Sequence, residues 1–324
     1  MHCRVVPPMA AYSGRIAYGH TMNRKIRVCI SGAGVFGGHH AAKLAAHPRI
    51  EFVGIYDPEH PERAQALVDE YGGKAFETRE DMIAAADALI VASPASVHYR
   101  QAIDALEHGL HVLVEKPLAT RLEDAREMVA MAEKQGVILQ VGHQERFVSH
   151  AIGLFDIPET PVSIQASRVA PFSPRGTDVS VTLDLMTHDL DLVNLLAGGE
   201  ADEVTSDIRT GPSGGIDDAR AEIRFPGGTR ASIHASRVSS DRQRHMRIEY
   251  PSGVVEIDFF NRSLTNGTPF ALNAGFADAP EAQDCLAAEV NAFVCAILDG
   301  GQVPVCGIAG AKALALALRV DKVA

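Results

Sequence analysis

The chain has 324 residues, 46% of them hydrophobic and 22% charged, and carries a net charge of −11 from 30 basic and 41 acidic side chains. That balance argues against nucleic acid or an anionic membrane as the main partner, and no apolar run approaches the ~18 residues a membrane span needs. What is left is a soluble globular protein, long for one domain and comfortable for two.

Residues 1–24 read as a disordered N-terminal extension: Arg4, Arg15 and Arg24 flank no apolar core, and a second methionine, Met22, stands just before the first strand. The five cysteines (Cys3, Cys29, Cys285, Cys295, Cys306) are odd in number and lack metal-type spacing. They read as reduced thiols of a cytoplasmic protein, and no metal is expected.

From 25 to 145, short apolar runs alternate with helical stretches. Strands are expected at Ile26–Ser31, Glu51–Tyr56, Asp87–Ala92, Leu110–Val114 and Val137–Val141, with helices near 35–46, 60–71, 97–108 and 121–135. This rhythm predicts a doubly wound parallel α/β sheet of the Rossmann type. Gly32, Gly34 and Gly37 form a G-x-G-x-x-G turn between the first strand and the first helix, so Val35 and Phe36 open a helix whose free N–H groups suit a pyrophosphate. Asp57, twenty residues beyond Gly37, ends the second strand. A carboxylate there accepts from a ribose 2′-hydroxyl and repels a 2′-phosphate, which favours NAD over NADP. Ser93, Pro94 and His98 follow the next strand and are candidate contacts to the nicotinamide half.

The stretch His111–Leu118 is the most informative. Val112 to Val114 read as a strand covered on both faces, and it ends abruptly in Glu115-Lys116-Pro117. Ligands of such sheets lie beyond the carboxyl ends of the strands, so Lys116 is delivered to the crevice. Pro117 restricts it to extended geometry.

From 146 to 324 the pattern changes to longer, partly alternating strands at Val162–Val169, Ala219–Phe225, Arg230–Val238, Arg244–Tyr250 and Val254–Phe259, with turns at Pro226-Gly227-Gly228 and Pro251-Ser252-Gly253. Helices are expected near 182–197, 281–299 and 308–322, packing against this sheet or returning to the first domain. This second half is an α+β domain with an open, mainly antiparallel sheet, whose face needs cover and predicts a homodimer or homotetramer. On the helix from 182, Asp184, His188 and Asp191 fall within about 60° of one another. His188 is suited to accept a proton near neutral pH and Asp184 to orient it. Asp189 lands in the apolar arc and must find a partner there, unless the helix begins later than 182. Arg237, Arg242, Arg244 and Arg247, with His245, make a positive cluster in an acidic chain, suited to phosphates.

With Gly32–Gly37, Asp57-Pro58, Glu115-Lys116-Pro117, Gly142-His143-Gln144-Glu145-Arg146-Phe147 and Asp184 through His188 in this order, the chain resembles the glucose–fructose oxidoreductase/inositol dehydrogenase (Gfo/Idh/MocA) family over nearly all of 26–324. Leu183–Leu192 and Ala235–Ser239 with the following arginines resemble its branch that oxidises the 3-hydroxyl of UDP-N-acetylglucosamine in lipid A synthesis. The resemblance implies an NAD-dependent oxidoreductase with Lys116, Asp184 and His188 as the active-site group. It also implies a peptide before Pro117 that is often cis. Gly32, Gly34, Val35, Phe36, Gly37, Asp57, Ser93, Pro94, His98, Glu115 and Lys116 are the candidate cofactor residues. Arg146, Arg168, Arg237, Arg242 and Arg244 are the candidates for the substrate. Val148-Ser149-His150 departs from the Asn-Pro common in the family. Two assignments of the base fit: His188, with Lys116 stabilising the oxyanion, or Lys116 with its pKa lowered by burial. The rival readings are an inositol or free-sugar dehydrogenase and a non-catalytic NAD-binding sensor.

Overall fold

The computed structural model describes residues 24–322; the expected extension up to Asn23, with Cys3 and Met22, lies outside them. The chain divides into two compact units. The first runs to Gly142 and takes in Leu286–Ile308, and the second holds His143–Cys285 and the chain from Ala309.

The first unit begins with β1 (Ile26–Ser31), α1 (Val35–Ala46), β2 (Ile50–Tyr56), α2 (Pro61–Tyr71), β3 (Lys74–Phe76), α3 (Arg79–Ala85), β4 (Ala88–Val91), α4 (His98–Glu107), β5 (His111–Glu115), α5 (Leu122–Gln135) and β6 (Leu139–Gly142). All neighbours in the sheet are parallel, in the order β3-β2-β1-β4-β5-β6. The order reverses between β1 and β4, the switch point where doubly wound sheets bind ligands. Val112, Leu113 and Val114 are fully buried, as a central strand with both faces covered requires.

β3 and α3 were not expected from the sequence. β3 has three residues, too few to display a period. α3 is announced only by its cap, where the Thr78 hydroxyl accepts the Asp81 N–H at 3.2 Å.

The second unit holds α6 (Glu145–Ile152), β7 (Ser163–Val169), a π-helical turn (Thr182–Met186), α7 (Thr187–Ala197), β8 (Glu203–Thr210), β9 (Ile216–Arg224), β10 (Arg230–Ser236), β11 (Gln243–Tyr250), β12 (Gly253–Asp258), β13 (Ser263–Asn266) and α8 (Pro280–Gln283). Its sheet has the order β13-β12-β11-β7-β10-β9-β8. Every pair is antiparallel except β7 with β10, where Ile164 registers with Ala231. β8 and β13, the two edges, were missed because both are largely exposed and show no buried apolar alternation.

One face of this sheet is apolar and buried, with Ile164, Ile233, Ile248 and Ile257 among its side chains. The other face is polar, with Ser167 opposite both His234 and His245, and Gln165 opposite both Ser232 and Arg247.

α9 (Cys285–Asp299) and α10 (Gly307–Val320) complete the chain. Residues 286–308 fall in the expected second domain by sequence position but cluster with the first unit. Val290, Phe293 and Val294 of α9 are buried in the same core as Ile30, Ile55 and Ile90. Burial of such side chains is worth roughly 1.5–3 kcal/mol each.

Candidate active site

In the first unit the site is made mostly of backbone. Gly32 has φ +105°, and a Cβ there would lie 2.6 Å from the Ser93 nitrogen. A Cβ on Gly37 would lie 2.0 Å from the Gly32 carbonyl oxygen, so neither position admits a side chain. At Gly34 a Cβ would meet nothing within 4 Å, leaving open space beside the turn. α1 starts there without a side-chain cap and without an acid in its first turn. Its first intrahelical bond runs from Gly38 N–H to the Gly34 carbonyl, so the N–H groups before it have no acceptor within the helix. Gly34 and Val35 are exposed, Phe36 half-buried and Gly37 buried. These residues fit the pyrophosphate of a dinucleotide. Asp57 stands just beyond β2; its carboxylate accepts the Ala33 N–H at 2.7 Å and the Glu59 and His60 N–H groups at 3.1 and 3.0 Å. It therefore ties β2 to the glycine turn, a role the sequence pattern did not disclose.

Lys116 follows β5 half-buried, and the peptide to Pro117 is cis. Ser93 donates its hydroxyl to Gln101 at 2.6 Å, and Pro94 is exposed. His98 is buried, with Nδ1 2.8 Å from the Pro117 carbonyl and Nε2 2.9 Å from the Ser93 carbonyl. Each ring nitrogen faces a carbonyl oxygen. His98 thus braces the segments that follow β4 and β5. Behind Lys116, the buried Glu115 carboxylate meets His40 Nε2 at 2.8 Å. Glu289 of α9 is also buried, and the ligand-type atoms of His40, Glu115 and Glu289 lie within 4.8 Å of one another. Such a set suits a shared proton or a divalent cation. Neither His40 nor Glu289 carried a sequence signal, because they converge only in the fold.

In the second unit, Asp184 lies in the π turn and His188 in the first turn of α7, both half-buried. The Thr187 N–H reaches back to the Thr182 carbonyl, five residues away. π turns recur at functional sites, but nothing in the residues marks this one. The Asp184 carboxylate lies against Gly176, where a Cβ would come within 2.7 Å of it. The His188 ring meets His143 edge-on, with centroids 6.2 Å apart. The expected stripe needs one correction. Asp191 does not continue it but is buried, accepting Arg146 Nε and Nη2 at 2.6 Å each. The partner required by Asp189 is Arg168, at 3.0 Å through two nitrogens.

The five candidate arginines separate into two kinds. Arg146, Arg168 and Arg237 are buried. Arg168 also reaches Glu145 at 2.9 Å, and although burial opposes its charge, Asp189 and Glu145 more than offset that and hold it cationic. Arg237 donates to the Gly176 and Val179 carbonyls at 2.8 and 2.9 Å and pairs with Asp217 at 3.4 Å. It anchors the loop on which Asp184 rests. These three guanidiniums are directed at the protein's own acceptors. Arg242 and Arg244 are exposed. Arg244 has its pKa pushed down, first by burial of part of its guanidinium and then by the like charge of Arg168.

Glycine turn, strand-end acid and reversed sheet order together define a Rossmann-type dinucleotide-binding domain. The family model described as "Oxidoreductase family, NAD-binding Rossmann fold" matches residues 26–143, and the GFO/IDH/MocA C-terminal domain matches 150–256. The chain belongs to the Gfo/Idh/MocA oxidoreductase family. It is 34% identical to the UDP-N-acetylglucosamine 3-dehydrogenase of Acidithiobacillus ferrooxidans over 91% of this chain and 96% of that protein. A solved structure of that enzyme, GnnA, superposes with a TM-score of 0.85 over 92% of this chain and 97% of its own. The NAD⁺-dependent scyllo-inositol 2-dehydrogenase of Bacillus subtilis is 28% identical over 67% of this chain and 69% of its own. WlbA of Bordetella pertussis, solved with NADH and UDP-GlcNAcA, shares the fold at a TM-score of 0.81 and 23% identity, covering 94% of this chain and 96% of its own.

Proposed function

We propose that the protein oxidises the 3-hydroxyl of UDP-N-acetylglucosamine to the 3-keto sugar with NAD⁺. The observation that carries the substrate is a likeness of 34% identity to a UDP-N-acetylglucosamine 3-dehydrogenase that spans 91% of the chain and so includes both units. NAD⁺, when bound, takes up the hydrogen and two electrons that leave the sugar carbon. The Gly32–Gly37 turn and the start of α1 would hold its pyrophosphate. The Asp57 carboxylate would take the ribose 2′-hydroxyl and disfavour the 2′-phosphate of NADP.

His188 is assigned the hydroxyl proton, with Asp184 orienting the ring and Lys116 stabilising the oxyanion. Arg242 and Arg244 are assigned the diphosphate. Both are exposed, and the like charges around Arg244 would be relieved by an anion. The product suits an aminotransferase that installs a 3-amino group, as in the lipid A route. We assign the protein to the cytoplasm as a homodimer or homotetramer.

Absorbance at 340 nm with NAD⁺ and a panel of UDP-sugars, free sugars and inositols tests the reading. NADH formation with UDP-N-acetylglucosamine and not with inositols is expected. Turnover of inositols alone would replace the substrate, and silence with every sugar despite NAD binding would favour a sensor.

A further inference from the structure

We propose that a lattice of five charged side chains, the buried Arg146, Arg168, Asp189 and Asp191 with the partly buried Glu145, is the positioning device of His188. The inference rests on the reading of His188 as the proton acceptor. His188 is followed immediately by Asp189 and, three residues on, by Asp191, and each carboxylate is held through two guanidinium nitrogens. Arg146 of α6 holds Asp191 at 2.6 Å twice, and Arg168 of β7 holds Asp189 at 3.0 Å twice. Arg168 turns its remaining nitrogen to Glu145, the neighbour of Arg146, at 2.9 Å. Just before α6, the His143 ring stands at 89° to that of His188. Arg146 of α6 and Arg168 of β7 thus grip the first five residues of α7 just after the histidine.

Ion pairs this deeply buried are a poor source of stability, since well-packed apolar residues of similar volume do as well or better. What they supply and apolar contacts do not is direction. A guanidinium facing a carboxylate through two parallel bonds fixes the angle between the groups, and hence the roll of the helix that carries them. Roll matters here because α7 emerges from a π turn, which departs from the regular 3.6-residue register. A roll of about 10° moves a side-chain tip some 6 Å from the axis by ~1 Å, and displacements of that size cost on the order of a hundredfold in rate.

The test uses the full-length protein and two variants. Arg146→Lys keeps the charge and loses the planar fork; Arg146→Met with Asp191→Leu removes both charges and keeps the volume. The ring that meets His188 is His143, and Asp189 and Asp191 follow His188 on the same helix. Expected are a kcat at least about tenfold lower, a KM for NAD⁺ within about twofold of wild type, and a His188 ring titration displaced by about half a pH unit or more in NMR spectra. Variants that fold and keep both the kcat and the His188 titration of wild type would overturn the proposal. If the paired variant fails to fold, Arg146→Lys decides alone. The NMR titration needs no substrate, so it still decides if the sugar assignment is wrong. That assignment of His188 fails separately, if His188→Asn turns over within a few-fold of wild type.

Discussion

The two units build their candidate sites from opposite materials. In the first, most of the groups that matter are backbone, glycines pressed against carbonyls and N–H groups and a helix end without a cap, joined by the side chain of a lysine delivered by the end of a strand. In the second they are side chains, buried arginines and carboxylates beneath a helix that starts irregularly. The first kind of site fails when an atom is added, because backbone cannot move aside. The second fails when one is removed, because a buried charge is left without its partner.

That contrast can be broken experimentally. Gly37→Ala puts a methyl 2.0 Å from the Gly32 oxygen, so NAD binding measured by titration calorimetry should weaken at least about a hundredfold. Unchanged affinity would mean the turn is not held as described. Arg168→Met leaves the buried Asp189 and the partly buried Glu145 without their guanidinium, and denaturant unfolding should report a loss of about 3–5 kcal/mol. A loss under about 1 kcal/mol would place that pair among ordinary surface contacts.

Smaller effects sharpen the comparison. Asp57→Ala should shift the ratio of NAD to NADP affinity toward NADP by about tenfold, read from the two dissociation constants. The pKa of His150 is lowered to about 4, first by burial and then by Arg146. Its folded value lies below its unfolded value, so its stabilising contribution is complete above about pH 6.5 and is lost as pH falls toward 4. Between pH 7.5 and 5 wild type should lose about 2 kcal/mol relative to His150→Phe in urea unfolding. Parallel pH curves for the two proteins would remove His150 from the account.

The same contrast decided what could be read in advance. The parallel sheet was legible because each strand is a covered apolar run followed by a helical stretch, and Val112–Val114 needed no tertiary information to be placed at its centre. Gly32, Gly37 and Asp57 were legible because their spacing follows from local strand–turn–helix geometry. The second unit's sheet was legible where apolar and polar residues alternate, and not at its exposed edges. Its arginines were misleading. Arg146, Arg168 and Arg237 belong, by residue type, to the same positive group as Arg242 and Arg244. Only the fold shows that Asp191, Asp189 and Asp217 stand next to them. A carboxylate that lies distant in sequence neutralises an arginine without leaving a trace in local pattern. Nor does local pattern disclose that His98 is buried between the Pro117 and Ser93 carbonyls.

The proposal to test is that Lys116 and His188 serve one oxidation. A double-mutant cycle tests it most directly, with single-turnover NADH formation from UDP-N-acetylglucosamine measured for wild type, Lys116→Met, His188→Asn and the pair. Each single change should slow the reaction by at least about a hundredfold, and the pair should be within a few-fold of the slower single, as groups acting on one step behave. Losses that multiply, or either single variant within a few-fold of wild type, would contradict it.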